Sequence, residues 1–334
     1  MKLRVWWRRR PSVAWAIVAA CTVLLVIAGG SVLVADAGGA DTSVPDTLAT
    51  PFFASDFEHG TLAPWDNLDI GEGTVPVSTT PPGSTALGTV RVTNVVAARG
   101  SRAVELTVTP SARASPAAGM NSVYLWNVVR AELGHEGQET WQRFRVRFPQ
   151  PVAKGRGVRS TASFVPNRNC HGGCPWFAEY HNDDSYLPFY RAGQITWEYP
   201  NLVWGVDTSR RVVKGPRQPQ IFMRVWGGDD NTPAEPSQSR AVYVYTGRPL
   251  RYNHWYAFRA HIRWSPDPTV GLVEWWLDGK RLYSQRAATL WRHPDGSVSM
   301  TNFELVNYRV HDDTVSTIFF DDIRLGTTAA SVDR

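Results

Sequence analysis

Between Glu139 and Pro149 the chain reads ETWQRFRVRFP, an alternation with period two. Gln142, Phe144, Val146 and Phe148 fall on one side, and Arg143, Arg145 and Arg147 on the other. A helical period would scatter the apolar members around the axis. An extended strand, whose successive side chains point to opposite faces, gathers them on one face. The pattern returns in HWYAFRAHIRWS, with Tyr256, Phe258, Ala260, Ile262 and Trp264 on one face and Trp255, Arg259, His261 and Arg263 on the other. SRAVELTVTP, SVYLWNVVRAEL and TIFFDDIRLG also read as strands, and the Asp278-Gly279 pair in LVEWWLDGKRLY marks a hairpin turn. With 27 glycines and 23 prolines, the chain punctuates itself into short elements. No long helical period and no internal repeat follow the leader. The pattern predicts one β-sandwich over residues 51–326, with a flexible tail at 327–334.

The N-terminus has a different character. MKLRVWWRRR is basic, and residues 12–35 carry no charge and are mostly apolar. Residues 1–37 read as a signal peptide or an N-terminal membrane anchor, and 38–50 as a short linker. Either reading sends the remainder out of the cytoplasm, secreted or on the extracellular face. Membrane contact is expected only through that segment. The formal charge of +5 shrinks with it: residues 38–334 hold 30 basic and 29 acidic side chains. A near-neutral body outside the cytoplasm speaks against nucleic acid as a partner. A monomer is expected.

CHGGCPWFAEYHNDD, from Cys170 to Asp184, concentrates the most varied chemistry. Outside the leader Cys170 and Cys174 are the only cysteines, and in an oxidising compartment a disulfide closing a tight loop is the plain reading. Zinc, with His171 and His181 nearby, lacks a second cysteine pair. Trp176, Phe177 and Tyr180 either stack on sugar rings or pack beneath that loop. The arginines of 143–147 line an anion-binding groove or form a solvated face. Asp56, Glu58, Asp321 and Asp322, in the terminal strands, offer hard oxygen ligands for a structural calcium.

Taken together, RAEL at 130–133 followed by ETWQRFRVRFP, the long run HWYAFRAHIRWSPDPTVGLVEWWLDGKRLY, and the closing FFDDIRLG resemble heparin-lyase-I-like polysaccharide lyases. This jelly-roll group also resembles alginate and glucuronan lyases. The resemblance implies an all-β, concanavalin-A-like jelly-roll sandwich of two antiparallel sheets. It implies cleavage of an acidic, uronate-containing polysaccharide by β-elimination across a concave sheet, with no cofactor for catalysis.

Carried over residue by residue, the resemblance makes Arg130 the group that neutralises the substrate carboxylate, with Glu132 supporting it. His181 becomes the base and Tyr308 the proton donor to the departing oxygen. Arg143, Arg145, Trp176, Glu179, Tyr180 and Arg309 complete the expected binding surface. The chain departs from the pattern at three places. Glu179 stands where glutamine is common, Glu304 where a basic residue is often seen, and Val306 in a usual glycine slot. These changes imply a different glycan, a neutral substrate or lost activity. Two other functions stay open: a noncatalytic carbohydrate-binding jelly roll, and a glycoside hydrolase using a carboxylate pair among Glu132, Glu179 and Glu304.

Overall fold

The structure, a computed structural model, describes residues 50–65, 67–70, 74–76, 84–85, 88–108, 120–127, 134–151, 164, 176–182, 200–208, 218–229, 241–292, 296, 298, 301–310 and 315–333. They belong to a compact unit of residues 46–334. No helix among them is long and apolar enough to cross a membrane.

In chain order the strands begin with β1 (Phe53–Ser55), β2 (Asn67–Ile70), β3 (Thr74–Pro76), β4 (Ser84–Thr85), β5 (Gly88–Thr93) and β6 (Ala103–Val108). Then come β7 (Met120–Asn127), β8 (Glu139–Arg147), β9 (Trp176–Asn182), β10 (Leu202–Asp207), β11 (Gln220–Val225), β12 (Gly228–Asp229) and β13 (Val242–Tyr245). The last are β14 (Trp255–Arg263), β15 (Leu272–Leu277), β16 (Lys280–Arg286), β17 (Trp291–Arg292), β18 (Thr301–Val310) and β19 (Ser316–Gly326), with helix α1 at Ala329–Val332.

Two large antiparallel sheets form from them. One runs β16-β15-β14-β8-β19-β6-β5-β4, with β1 on β19. The other runs β13-β11-β10-β9-β18-β7-β2-β3. The alternation in β8 and β14 is realised as expected. Phe144, Val146, Tyr256, Phe258 and Ile262 are buried, and their neighbours in sequence are half-buried or less shielded, His261 excepted. The inner faces meet through aromatic rings: Phe144 stacks on Phe258 at 4.8 Å and reaches Trp204 and Phe303 in the opposite sheet. Polar groups bridge the sheets as well. The Tyr180 hydroxyl donates to Gln142 Oε1 at 2.5 Å, and the Asn307 amide donates to the carbonyls of Leu106 and Ser316 at 3.0 and 2.8 Å. This is a jelly-roll sandwich, and among the described residues α1 is the one helix.

The last residues depart from the expected flexible tail. Thr328 caps α1 by accepting from the Ser331 N–H, Ser331 and Val332 are buried, and Asp333 pairs with Arg259 at 2.8 Å. Covering the apolar Val332 against the sheet supplies what four helical residues lack on their own.

Candidate active site

The eight-stranded sheet has one face toward the core and one turned away from it. On β18, Phe303, Leu305 and Asn307 face inward, so Asn302, Glu304, Val306 and Tyr308 face outward. On β9 a bulge changes the alternation. Trp204 of β10 pairs with Ala178, but the next residue, Gly205, pairs with Trp176, leaving Phe177 as the extra residue. Trp176 and Glu179, three apart, therefore share the outward face, and Phe177, Ala178 and Tyr180 join the core.

Register then sets out two rows across five strands, β18, β9, β10, β11 and β13. Glu304 pairs with Glu179, Glu179 with Val203, Val203 with Arg224 and Arg224 with Tyr243. Tyr308 pairs with Trp176, Trp176 with Gly205, Gly205 with Phe222 and Phe222 with Tyr245. The Tyr308 ring lies on that of Trp176, with centroids 4.7 Å apart and planes within 11°. The Arg224 guanidinium carbon sits 4.7 Å from the Trp176 ring and 3.8 Å from the Trp226 ring. Trp and Arg pair this way because the ring face is electron-rich and guanidinium is weakly hydrated.

Arg224 is 4% exposed, and its Nε and Nη2 make no hydrogen bond among the described residues. Burial lowers its pKa, while Tyr243, Glu179 and Tyr308 act to keep it charged. Burial also raises the Tyr308 phenol well above its usual value; Glu179 adds to this and Arg224 opposes it. The phenol is thus held protonated beside a cation. Asn201, next to β10, is fully buried, and neither its Oδ1 nor its Nδ2 has a partner among the described residues. Its backbone carbonyl accepts from Trp226 N–H at 2.7 Å, tying it to the arginine's platform. Unpaired buried donors and acceptors are costly, and these are free to meet water or a ligand's polar groups.

The expected site residues are partly brought together. Trp176, Glu179 and Tyr308 share this face. The side chain of Tyr180 does not reach it, being spent on the sheet-to-sheet bond to Gln142. Arg143 and Arg145 lie on the outer face of the other sheet, 2.5 and 3.6 Å from the buried Asp322 carboxylate. The anion they serve is the protein's own. Arg130, Glu132, Cys170 and Cys174 lie outside the described residues, and for His181 and Arg309 only the backbone is described, His181 pairing with Asn302. A second histidine, His261, is engaged elsewhere: its ring nitrogens lie 2.8 Å from Glu139 and 2.9 Å from Glu274. Arg224, Trp226, Tyr243 and Asn201 were not expected from the sequence. A lone arginine in the apolar run QIFMRVWG was the available signal.

Of the expected calcium ligands, Asp56 and Asp322 line one cavity of about 250 Å³ where β1 pairs with β19. Glu58 instead accepts from the N–H groups of Ser101 and Arg102, and Asp321 from those of Ala98, Arg99 and Asp322. Among the described residues no group of three or more such side chains is placed to hold a metal ion.

Comparison with known proteins bears on the fold and the family. The endo-β-1,4-glucuronan lyase of the fungus Trichoderma reesei superposes with a TM-score of 0.57 at 17% identity, covering 85% of this chain and 98% of that one. A cellulose-induced protein follows at 0.40 and 14% identity, covering 83% and 97%, and an alginate lyase in complex with alginate trisaccharide at 0.44 and 9%, covering 84% and 99%. The likeness to the glucuronan lyase speaks for the fold. No curated protein matches the sequence. The polysaccharide lyase family matches residues 57–324, most of the chain and nearly every strand described above. The chain belongs to the polysaccharide lyase family and is, by that membership, an enzyme of the lyase class.

Proposed function

We propose that the protein cleaves a uronate-containing polysaccharide by β-elimination, on the face that carries Trp176, Arg224 and Tyr308. The observation that carries this reading is a buried guanidinium with two unbonded nitrogens, Nε and Nη2, stacked on the same indole as a protonated tyrosine. In β-elimination the C5 proton leaves, charge builds on the adjoining carboxylate, and the C4–O bond breaks as that oxygen takes a proton. Arg224, rather than Arg143 or Arg145, is the cation for the carboxylate, worth most where water is excluded. Asn201 supplies the neutral amide that Glu179 does not. Tyr308, protonated at neutral pH, protonates the departing oxygen. His181, on β9, is the expected base, with Arg130 and Glu132 as further expected groups. Glu179 beside Arg224 adjusts the charge of the pocket and need not repel the substrate. A secreted or extracellular setting goes with such a polymer and with the leader read from the sequence.

Glu179 and Glu304, directly opposed and each 1% exposed, favour glycoside hydrolysis as a second reading. One experiment separates the readings. The protein is incubated with glucuronan, alginate and heparin, and both ultraviolet absorbance from the new C4=C5 double bond and released reducing ends are followed. Absorbance rising with chain cleavage supports the lyase reading. Reducing ends without absorbance indicate hydrolysis, and binding with neither sinks both.

A further inference from the structure

A second cavity lies on the other side of β11, toward the inter-sheet core. Its volume is about 540 Å³, within the range of small-molecule sites. The two sheets end here on β16 and β13, their edge strands. Ile221, Leu250, Tyr256, Leu277 and Leu282 form apolar walls. The chain after β13 crosses the end of β11, with Thr246 N–H donating to Ile221 O at 3.0 Å and Leu250 N–H to Pro219 O at 2.6 Å.

The rim is cationic, with Arg248, Arg251 and Lys280 against Asp278. Asp278 is already committed. Its carboxylate pairs with Arg251 and His254, each at 3.1 Å, and accepts from the Ala257 N–H at 2.9 Å. Among the described residues Arg248 and Lys280 have no ion-pair partner. The Tyr256 hydroxyl accepts from the Arg251 N–H at 2.6 Å and keeps its own hydrogen to donate.

We propose that this cavity binds an amphiphilic anion, a medium-chain alkyl carboxylate, with its chain between Ile221, Leu250, Leu277 and Leu282 and its head at Arg248 and Lys280. A sugar fits poorly here, because the leucine and isoleucine walls would strip its hydroxyls of water without replacing their hydrogen bonds. An alkyl chain gains by leaving water, and the unmatched pair of cations calls for one acidic group. This site is independent of the catalytic reading: Ile221 faces the core, and its neighbour Phe222 belongs to the outward row.

The test titrates the full chain with decanoate and, separately, decanol, by displacement of a fluorescent alkyl probe. Decanoate is expected to bind saturably at one site, about tenfold tighter than decanol. Arg248→Ser with Lys280→Ser should bring decanoate down to the decanol value and leave decanol unchanged. Leu282→Trp, which fills the cavity, should abolish binding of both. Equal affinities for the two probes would overturn the proposal, as would binding that survives Leu282→Trp. Light scattering that shows a second copy seated at this edge and excluding decanoate would overturn it too.

Discussion

Tyr308 and Trp176 stack nearly parallel across adjacent strands, 4.7 Å between centroids, on the face of the sheet turned away from the core. The stack fixes the phenol ring without using its hydroxyl. Tyr308→Phe therefore keeps the ring contact and removes only the proton-bearing group. Steady-state assays on a cleaved uronate polymer should show kcat lower by about 10²- to 10⁴-fold. The thermal midpoint should hold. A variant that cleaves normally would remove Tyr308 from the chemistry.

Arg224 is the sharper test, because its neighbours distinguish charge from shape. Arg224→Lys keeps a cation but loses the planar group lying between Trp176 and Trp226. Both Arg224→Lys and Arg224→Ala should lower kcat/KM by about 10²- to 10³-fold, with lysine recovering little. Tryptophan fluorescence should change in both, since the guanidinium leaves two indoles. Full activity in the lysine variant would reduce Arg224 to a point charge.

The strands that were legible in the sequence are those whose physics is local. The faces of β8 and β14 follow from alternation alone, and the hairpin at Asp278-Gly279, with φ of +50° and +76°, from residues that tolerate positive φ. What could not be read depends on partners distant in the chain. The alternation made Arg143 and Arg145 a face but could not say that the face lies on the other sheet, around Asp322. Counting by twos from Glu179 puts Trp176 on the opposite side; the extra residue Phe177 reverses that, because one inserted residue flips every side chain beyond it. Arg224 is a lone arginine in an otherwise apolar run, which marks it as unusual but does not say which strands and rings it meets.

Tyr180 was expected at the substrate and instead ties the two sheets together. Tyr180→Phe should leave KM and kcat unchanged. It should lower unfolding free energy by about 1–3 kcal/mol, because Gln142 Oε1 loses its 2.5 Å donor in a dry interior. Urea denaturation with the activity assay checks both halves, and a raised KM at unchanged stability would return Tyr180 to the site.

Asp322 sits at the bulge of β19 with φ of +52°, its carboxylate among Arg143, Arg145 and Arg324. Removing it leaves four guanidinium groups, that of Arg99 included, facing one another around a buried position. Asp322→Ala should cost about 3–5 kcal/mol in chemical denaturation. Asp322→Gly, which suits the backbone, should fare little better. Recovery with glycine would mean that backbone conformation, not charge, sets the cost. On the same geometry, Arg145→Ser should leave KM for an acidic polymer unchanged.

Asp321, next to it, gives stability a pH dependence of definite sign. Burial is the largest influence on its carboxyl and, with the charge of Asp322, raises its pKa to about 6 against the N–H groups of Arg99, Ala98 and Asp322, which favour the ionised form. In the unfolded chain it returns toward the ordinary 3.8. Between those values the folded state holds the proton and the unfolded state has lost it. The group therefore supports the fold below about pH 3.8, and that support is gone once pH rises through about 6. Asp321→Asn does not titrate, though its amide disturbs three accepted hydrogen bonds at every pH. Subtracting the two stability curves removes the other carboxylates. The wild-type advantage over Asp321→Asn should shrink from pH 4 to pH 7 by about 3 kcal/mol at most. Curves that run parallel over that range would show that Asp321 titrates alike in the folded and unfolded chain.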